Sequence, residues 1–207
     1  MKNLKIISCL MLVALFGLNK TLHAAYTVGD RVKDFRLKNV DGTMVSLADF
    51  KGAKGVMVIF TCNHCPYAKA YEQRILELNN RYASSGYPVV AINPNDAVSY
   101  PDDSFEEMVK RSNEKKYTFP YLHDETQNVA REFGAIKTPH VYLLSKKGDI
   151  FVVEYIGAID DNSEDASAVK TKFVENAITD LNANKKVSQN NTKAIGCSIK
   201  WKKAKQD

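Results

Sequence analysis

The chain has 207 residues, a formal net charge of +5 and 44% hydrophobic residues. This length and composition suit one domain with a buried core, and they exclude a disordered chain. The first 24 residues contain three lysines and no acidic residue, so removing them lowers the charge from +5 to +2. A net charge this small gives no strong electrostatic attraction to nucleic acid.

The N-terminus has the layout of a secretory signal peptide. A short basic start precedes an apolar run from Ile6 to Leu18, and small residues follow at Ala24-Ala25. The apolar run is shorter than the roughly 20 residues that cross a bilayer. We therefore predict a signal peptide at 1–24, export to a periplasm or the cell exterior, and no stable membrane span after cleavage.

Two strands and a turn are predicted at the start of the mature domain, which we place at 25–184. Residues 35–37 and 44–47 have strand patterns, and Asp41-Gly42 between them is typical of a hairpin turn. The continuous apolar run at 56–60 indicates a strand that is covered on both faces.

The most informative segment, Cys62-Asn63-His64-Cys65-Pro66, follows directly after this buried strand and precedes a stretch with helical period. Unpaired N–H groups at a helix start favour a thiolate, which is the reactive form of cysteine. We therefore predict that Cys62 lies near solvent with a lowered pKa and attacks, and that Cys65 closes a disulfide with it. A protonated His64 would stabilise the Cys62 thiolate further.

Helices and strands alternate through the rest of the domain, which predicts an α/β fold with a central mixed sheet flanked by helices. In chain order we expect a helix carrying Tyr71, Ile75, Leu78 and Tyr82, a strand at 88–93, a helix capped at Asp103-Ser104, an extended piece at 119–122, a short helix at 126–133, strands at 140–144 and 150–155, and a helix carrying Val169, Phe173, Ile178 and Leu181.

The polar segment 185–207 follows the domain and is predicted to be a flexible tail. Gly196 and Trp201 nevertheless favour docking of its last part. Signal cleavage leaves three cysteines, so Cys197 is odd in an oxidising compartment. It could be a tail thiol, a second resolving cysteine or an intermolecular link.

Several motifs together resemble the thioredoxin superfamily, and more narrowly its exported redoxin or AhpC/TSA-type, peroxiredoxin-like members. They are Gly29-Asp30, Asp41-Gly42, Ser46-Leu47-Ala48-Asp49-Phe50, the run Cys62 to Tyr67, Thr138-Pro139 before a strand, Gly157 to Asp161 and Gly196 to Trp201.

This resemblance implies a thioredoxin fold with an N-terminal β-hairpin extension and a thiol–disulfide oxidoreductase that needs no organic cofactor. It also implies that Pro139 is cis and that the backbone of Thr138 pairs with an incoming peptide strand. The partners would be protein or small-molecule thiols and disulfides, with an unidentified electron donor or acceptor.

The sequence departs from the superfamily pattern at two places. Thr61 stands where tryptophan is usual, and the strand at 56–60 holds no acid to accept a proton. Glu72 is a weak substitute for that acid.

Three alternatives to the oxidoreductase follow from the same cysteines. A peroxiredoxin carries P-x-x-x-[TS]-x-x-C, but the proline and threonine positions fall on Val58 and Cys62, or on Gly55 and Ile59. A copper chaperone of this fold would bind metal through Cys62, Cys65 and His140. A closed zinc site would need four ligands, and the chain has no second C-x-x-C.

Overall fold

The computed structural model describes residues 25–203. The predicted signal peptide at 1–24 lies outside these residues. The helices are α1 (Pro66–Tyr82), α2 (Phe105–Lys115), α3 (Asn128–Phe133) and α4 (Phe173–Asn182). The strands are β1 (Arg31–Val32), β2 (Arg36–Asn39), β3 (Met44–Ser46), β4 (Gly55–Phe60), β5 (Val89–Asn93), β6 (Tyr121–His123), β7 (Lys137–Thr138), β8 (His140–Lys147), β9 (Ile150–Gly157) and β10 (Cys197–Ser198).

Within the described residues, eight strands form one mixed sheet in the order β1-β9-β8-β4-β5-β6-β2-β3. Strands β4, β5 and β6 run parallel, whereas β8 and β9 are antiparallel to their neighbours. Strands β2 and β3 form the predicted hairpin, closed by a turn in which Gly42 has a φ of 87°. The predicted α/β class, mixed sheet and N-terminal hairpin are confirmed.

Strand β4 is central because it is apolar on both faces. Its side chains alternate between two hydrophobic clusters, with Val56, Val58 and Phe60 in one and Met57 and Ile59 in the other. Every residue of β4 is buried. The carboxyl end of this fully buried strand leads directly into the cysteine motif.

Helix α1 forms where the helical period predicts it, and Tyr71, Ile75 and Leu78 are buried against the sheet. On its flank, Arg74 makes an ion pair with the buried Asp160. Among residues 25–203, no helix combines the length and the apolar character that crossing a lipid bilayer requires. The final helix begins later than expected, since Val169 lies ahead of α4.

The prediction of a flexible tail is wrong for residues 185–195, and the predicted docking of the last part, from Gly196 to Trp201, is confirmed. Strand β10 pairs antiparallel with β7, with Cys197 opposite Thr138. The side-chain oxygen of Asn95 accepts a hydrogen bond from the backbone N–H of Lys200 at 2.8 Å, and Ile199 is buried. Polar composition did not prevent docking because backbone hydrogen bonds and one apolar side chain hold the segment.

Candidate active site

Both cysteines of the motif are buried at the carboxyl end of β4. Cys62 is 3% exposed and Cys65 is fully buried, and they pack with Ala68 and Cys197 in one small cluster. The prediction that Cys62 lies near solvent is therefore wrong. The docked tail contributes to this burial, because Cys197 packs against the cluster.

The disulfide in this structure joins Cys65 to Cys197, with a Cα–Cα distance of 6.1 Å. Cys62 is the free cysteine of residues 25–203. The prediction of a Cys62–Cys65 disulfide thus does not describe this state. The physical reason is the tail, since β10 places the third cysteine beside Cys65.

Helix α1 begins at Pro66, with Cys65 at the N-cap, so Cys62 lies three residues before the cap. At the first helical position the backbone N–H of any residue has no intrahelical partner. Proline, which has no N–H, therefore loses no hydrogen bond there. The positive end of the helix dipole therefore lies nearest Cys65. The prediction that Cys62 stands at the helix start is wrong.

The pKa of the Cys62 thiol is raised to about 11, not lowered. Burial is the largest cause, because a thiolate away from water loses its hydration. The negative charge of Asp103 is the second cause, and a hydrogen bond with Thr138 acts in the opposite direction. In this closed state, in which the Cys65–Cys197 disulfide is formed and β10 pairs with β7, Cys62 is a thiol at neutral pH.

Asp103 is the site residue that sequence analysis missed. The cap predicted at Asp103-Ser104 is confirmed for Ser104, which is the N-cap of α2, whereas Asp103 ends a short 3-10 helix at Pro101–Asp103. Asp103 is fully buried, and one of its oxygens accepts the backbone N–H of Asn63 at 2.6 Å. Its other oxygen accepts from Asn95 at 2.9 Å and contacts Nδ1 of His64. A carboxylate is thus supplied by a loop about 40 residues away rather than by the strand before the motif.

His64 is half-buried and held in place from two sides. Its Nδ1 contacts Asp103, and its ring stacks on Tyr100 with centroids 5.1 Å apart. The sulfur of Cys62, a ring nitrogen of His64 and a carboxylate oxygen of Asp103 all lie within 4.8 Å of one another. The predicted influence of His64 on the cysteines has a geometric basis here.

The Cys62, His64 and Asp103 cluster is also the group in residues 25–203 whose donor atoms could hold a metal ion. The oxygens of Asp103 already accept hydrogen bonds from Asn63 and Asn95 and contact His64. A metal ion would have to displace the His64 contact. The existing hydrogen bonds therefore suit proton handling better than metal binding.

Thr138 joins the two halves of the site. Its hydroxyl lies 3.2 Å from the sulfur of Cys62, and its carbonyl oxygen lies 3.4 Å from the sulfur of Cys65. The Thr138–Pro139 peptide bond is cis, as the family resemblance implies. Thr138 also pairs with a strand, but the strand is the chain's own β10.

Two other predicted candidates have different surroundings. Glu72 receives two hydrogen bonds from Arg111, at 2.6 and 2.7 Å, so it belongs to an ion pair between α1 and α2. His140 is buried, and burial lowers its pKa to about 4, so its imidazole is neutral at pH 7. The copper set of Cys62, Cys65 and His140 is not assembled in this state because Cys65 is bonded to Cys197.

Fold and site together define a thioredoxin-fold protein with a buried cysteine centre beside a cis-proline, and solved structures of lower sequence identity share this fold. The AhpC/TSA family model matches residues 28–154. The chain belongs to the AhpC/TSA family.

The chain is similar to proteins with two kinds of name. The chain is 30% identical over 129 residues to "Thiol-disulfide oxidoreductase ResA" of Oceanobacillus iheyensis, covering 60% of this chain and 63% of that protein. It is 30% identical over 132 residues to "Peroxiredoxin Q, chloroplastic" of Triticum aestivum, covering 59% of this chain and 55% of that protein. The chain thus spans less than two thirds of each of these relatives.

A solved structure covers the chain more fully. The crystal structure of an uncharacterized conserved protein from Geobacillus kaustophilus is 38% identical, with a TM-score of 0.79, over 86% of this chain and 94% of that one. The match extends well beyond the 28–154 segment, so the additions to the family core are not peculiar to this chain.

Proposed function

We propose that the protein is a thiol–disulfide oxidoreductase. The observation that carries this proposal is a free thiol, Cys62, packed in one buried cluster with a disulfide, Cys65–Cys197. The similarity to a thiol-disulfide oxidoreductase supports the same reaction class. Partners would be protein or small-molecule thiols and disulfides.

The reaction needs Cys62 and Cys65 both reduced at its start. The Cys62 thiolate attacks a partner disulfide, forms a mixed disulfide and releases one partner sulfur as a thiolate. Cys65 then attacks Cys62, which forms the Cys62–Cys65 bond and releases the second partner thiolate. Two electrons pass from the cysteine pair to the partner, and an external thiol must restore the pair.

The proton of Cys62 has a nearby acceptor. A ring nitrogen of His64 lies within 4.8 Å of the Cys62 sulfur, a separation that one water molecule can bridge for proton transfer, and Asp103 contacts Nδ1 of the same ring. The pair would supply the acid that the strand at 56–60 lacks. Asp103 acts here as a positioning residue for His64.

Reduction of insulin disulfides with dithiothreitol as electron donor tests the proposal. We expect activity in the full mature chain and at least a hundredfold loss in Cys62→Ser. The matched control is Lys193→Ala, since Lys193 is exposed in the same tail and lies outside the cysteine cluster. Activity that is equal in Cys62→Ser and the unsubstituted chain would overturn the proposal.

Peroxide reduction is the second candidate, favoured by the similarity to Peroxiredoxin Q and by the Thr138 hydroxyl at the Cys62 sulfur. Consumption of hydrogen peroxide with dithiothreitol as reductant separates the two. A kcat/KM above about 10⁴ M⁻¹ s⁻¹ that requires Cys62, without insulin reduction, would favour the peroxidase.

We also propose that the protein is exported and loses residues 1–24. The basic, apolar and small-residue layout of the N-terminus supports this, and a stable disulfide suits an oxidising compartment. Mass spectrometry of the protein purified from an exporting host should give a mature chain that begins at Ala25. An intact chain with Met1 or Lys2 at its start would contradict export by cleavage.

A further inference from the structure

We propose that Cys197 is a third redox-active cysteine, which exchanges places with Cys62 as the bonding partner of Cys65. This inference rests on the proposed oxidoreductase function and adds a step to it. The structure holds one disulfide and one thiol in a single buried cluster, which are the reactants of an internal thiol–disulfide exchange.

The exchange is balanced within the chain. The sulfur of Cys62 attacks the sulfur of Cys65, the Cys62–Cys65 bond forms and the Cys65–Cys197 bond breaks. The electron pair of the broken bond stays on the sulfur of Cys197, which takes up the proton that Cys62 lost. One disulfide and one thiol are present before and after, so no external oxidant or reductant takes part.

The two reacting sulfurs, of Cys62 and Cys65, both contact Thr138. The sulfur of Cys62 contacts the hydroxyl of Thr138, and the sulfur of Cys65 contacts its carbonyl oxygen. Cys65 is bonded, so its contact with that carbonyl is not a hydrogen bond. Thr138 is fully buried, so both contacts lie away from solvent.

Cys197 can separate from Cys65 while the rest of the tail stays bound to the domain. Beyond Cys197, the backbone of Lys200 is held by Asn95 at 2.8 Å and by Gln127 at 2.8 Å, and Trp201 stacks under Arg131. These contacts do not involve sulfur. The two-residue strand β10, in contrast, is held to β7 by one short backbone pairing and one exposed hydrogen bond, from Nζ of Lys137 to Oγ of Ser198 at 3.3 Å, besides the disulfide.

The exchange makes the Cys65–Cys197 disulfide one state of the reaction sequence. While Cys65 is bonded to Cys197, Cys62 is 3% exposed and the edge of β7 is occupied by the chain's own strand. After the exchange, the oxidising Cys62–Cys65 bond is present and β10 has lost its covalent attachment. The edge of β7 then becomes available to an extended partner peptide once β10, which only non-covalent contacts now hold, moves away from it.

Mapping the thiol of the oxidised protein tests this relay. The full mature chain is oxidised, incubated at neutral pH, quenched in acid, unfolded in acidic urea so that buried thiols react, alkylated with N-ethylmaleimide and digested without reduction. We expect one label per chain, divided between Cys62 and Cys197. In the matched variant Cys62→Ser the disulfide is locked as Cys65–Cys197, so Cys197 should carry at least tenfold less label.

The outcomes separate the relay from the oxidoreductase itself. If Cys197 is never labelled in the unsubstituted chain although insulin reduction requires Cys62, the relay is wrong and the proposed function stands. If Cys197 is labelled equally with and without Cys62, the exchange does not use Cys62 and the relay is also wrong. If Cys197 is labelled through Cys62 but insulin is not reduced, the internal exchange is supported and the proposed function fails.

Discussion

At the scale of single residues, the site is governed by a buried charge. Asp103 is fully buried, receives hydrogen bonds from Asn63 and Asn95 and contacts His64. The same carboxylate raises the pKa of Cys62, because its negative charge disfavours a second one nearby. Asp103 thus holds the motif in shape and adds to the effect of burial, which is the larger cause of the raised pKa of Cys62.

Replacing Asp103 by asparagine should lower the pKa of Cys62 from about 11, because the second cause of the shift disappears while burial remains. The measurement is the pH dependence of iodoacetamide alkylation at Cys62, followed by mass spectrometry. The control is Asp102→Asn, since Asp102 is exposed beside it. An alkylation profile that does not move in Asp103→Asn would show that the charge of Asp103 does not reach the sulfur.

His140 provides a second prediction, for acid stability. Burial lowers its pKa from 6.5 to about 4, so the folded state excludes a proton that the unfolded state binds. The stability that the folded state owes to a neutral His140 is therefore fully present above pH 6.5 and is lost as the pH falls toward 4. At pH 4 the loss is about 3 kcal/mol of unfolding free energy.

Urea unfolding at pH 7 and pH 4 measures this loss. We expect the stability difference between the two pH values to shrink by about 3 kcal/mol in His140→Asn. The other titrating groups are common to both proteins, so they cancel in the comparison. An equal acid loss in the variant and the parent would mean that His140 is not the buried neutral group described here.

At the scale of elements, the sequence predicted what local pattern controls. The apolar run of β4 and the period of α1 both lie within one segment, and both elements formed where expected. Strands β7 and β10 have two residues each, too few for any periodicity to show. Their pairing depends on contacts between distant segments, which sequence spacing does not encode.

The same limit explains the errors at the site. Three cysteines allow three single disulfides, and proximity in sequence favoured Cys62–Cys65 over the Cys65–Cys197 bond with its separation of 132 residues. Asp103 was missed because its role depends on the loop before α2 folding back onto the motif. A buried acid looks like any other acid in a sequence, since burial is a property of the fold.

Gly196 should decide whether β10 can pair with β7. A Cβ atom at this position would overlap the carbonyl oxygen of Thr138, so a larger side chain must push the two strands apart. We expect Gly196→Val to reduce the ratio of Cys65–Cys197 disulfide to reduced protein at least tenfold in a glutathione buffer. Disulfide mapping after acid quenching measures the ratio.

The matched control for Gly196→Val is Ser198→Ala. Ser198 lies in the same two-residue strand, but its side chain is exposed. Its substitution removes one exposed hydrogen bond from Nζ of Lys137 but introduces no atom between the strands, so the disulfide should form nearly as readily as in the unsubstituted chain. A similar loss in both variants would show that the pairing is sensitive to any change in the tail, and would contradict a specific role for the missing Cβ.

At the scale of the whole molecule, the disulfide cross-links the tail to the start of α1. The bond spans 132 residues, so it restricts most of the unfolded chain. A Cys62–Cys65 bond would restrict a loop of a few residues. The two isomers that the relay connects therefore differ in how much they limit the unfolded state, although they hold the same number of covalent bonds.

This difference predicts two distinct stabilities. In the chain-entropy description, a loop of this length is worth about 5 kcal/mol, whereas the short Cys62–Cys65 loop is worth about 2 kcal/mol. Reduction should therefore cost oxidised Cys62→Ser, locked as Cys65–Cys197, about 3 kcal/mol more than it costs oxidised Cys197→Ser. Urea unfolding of each variant, oxidised and reduced, gives the two costs, and each variant serves as its own reference. Equal costs would mean that the long cross-link does not restrict the unfolded chain, and that the isomers are separated by native contacts at the site alone.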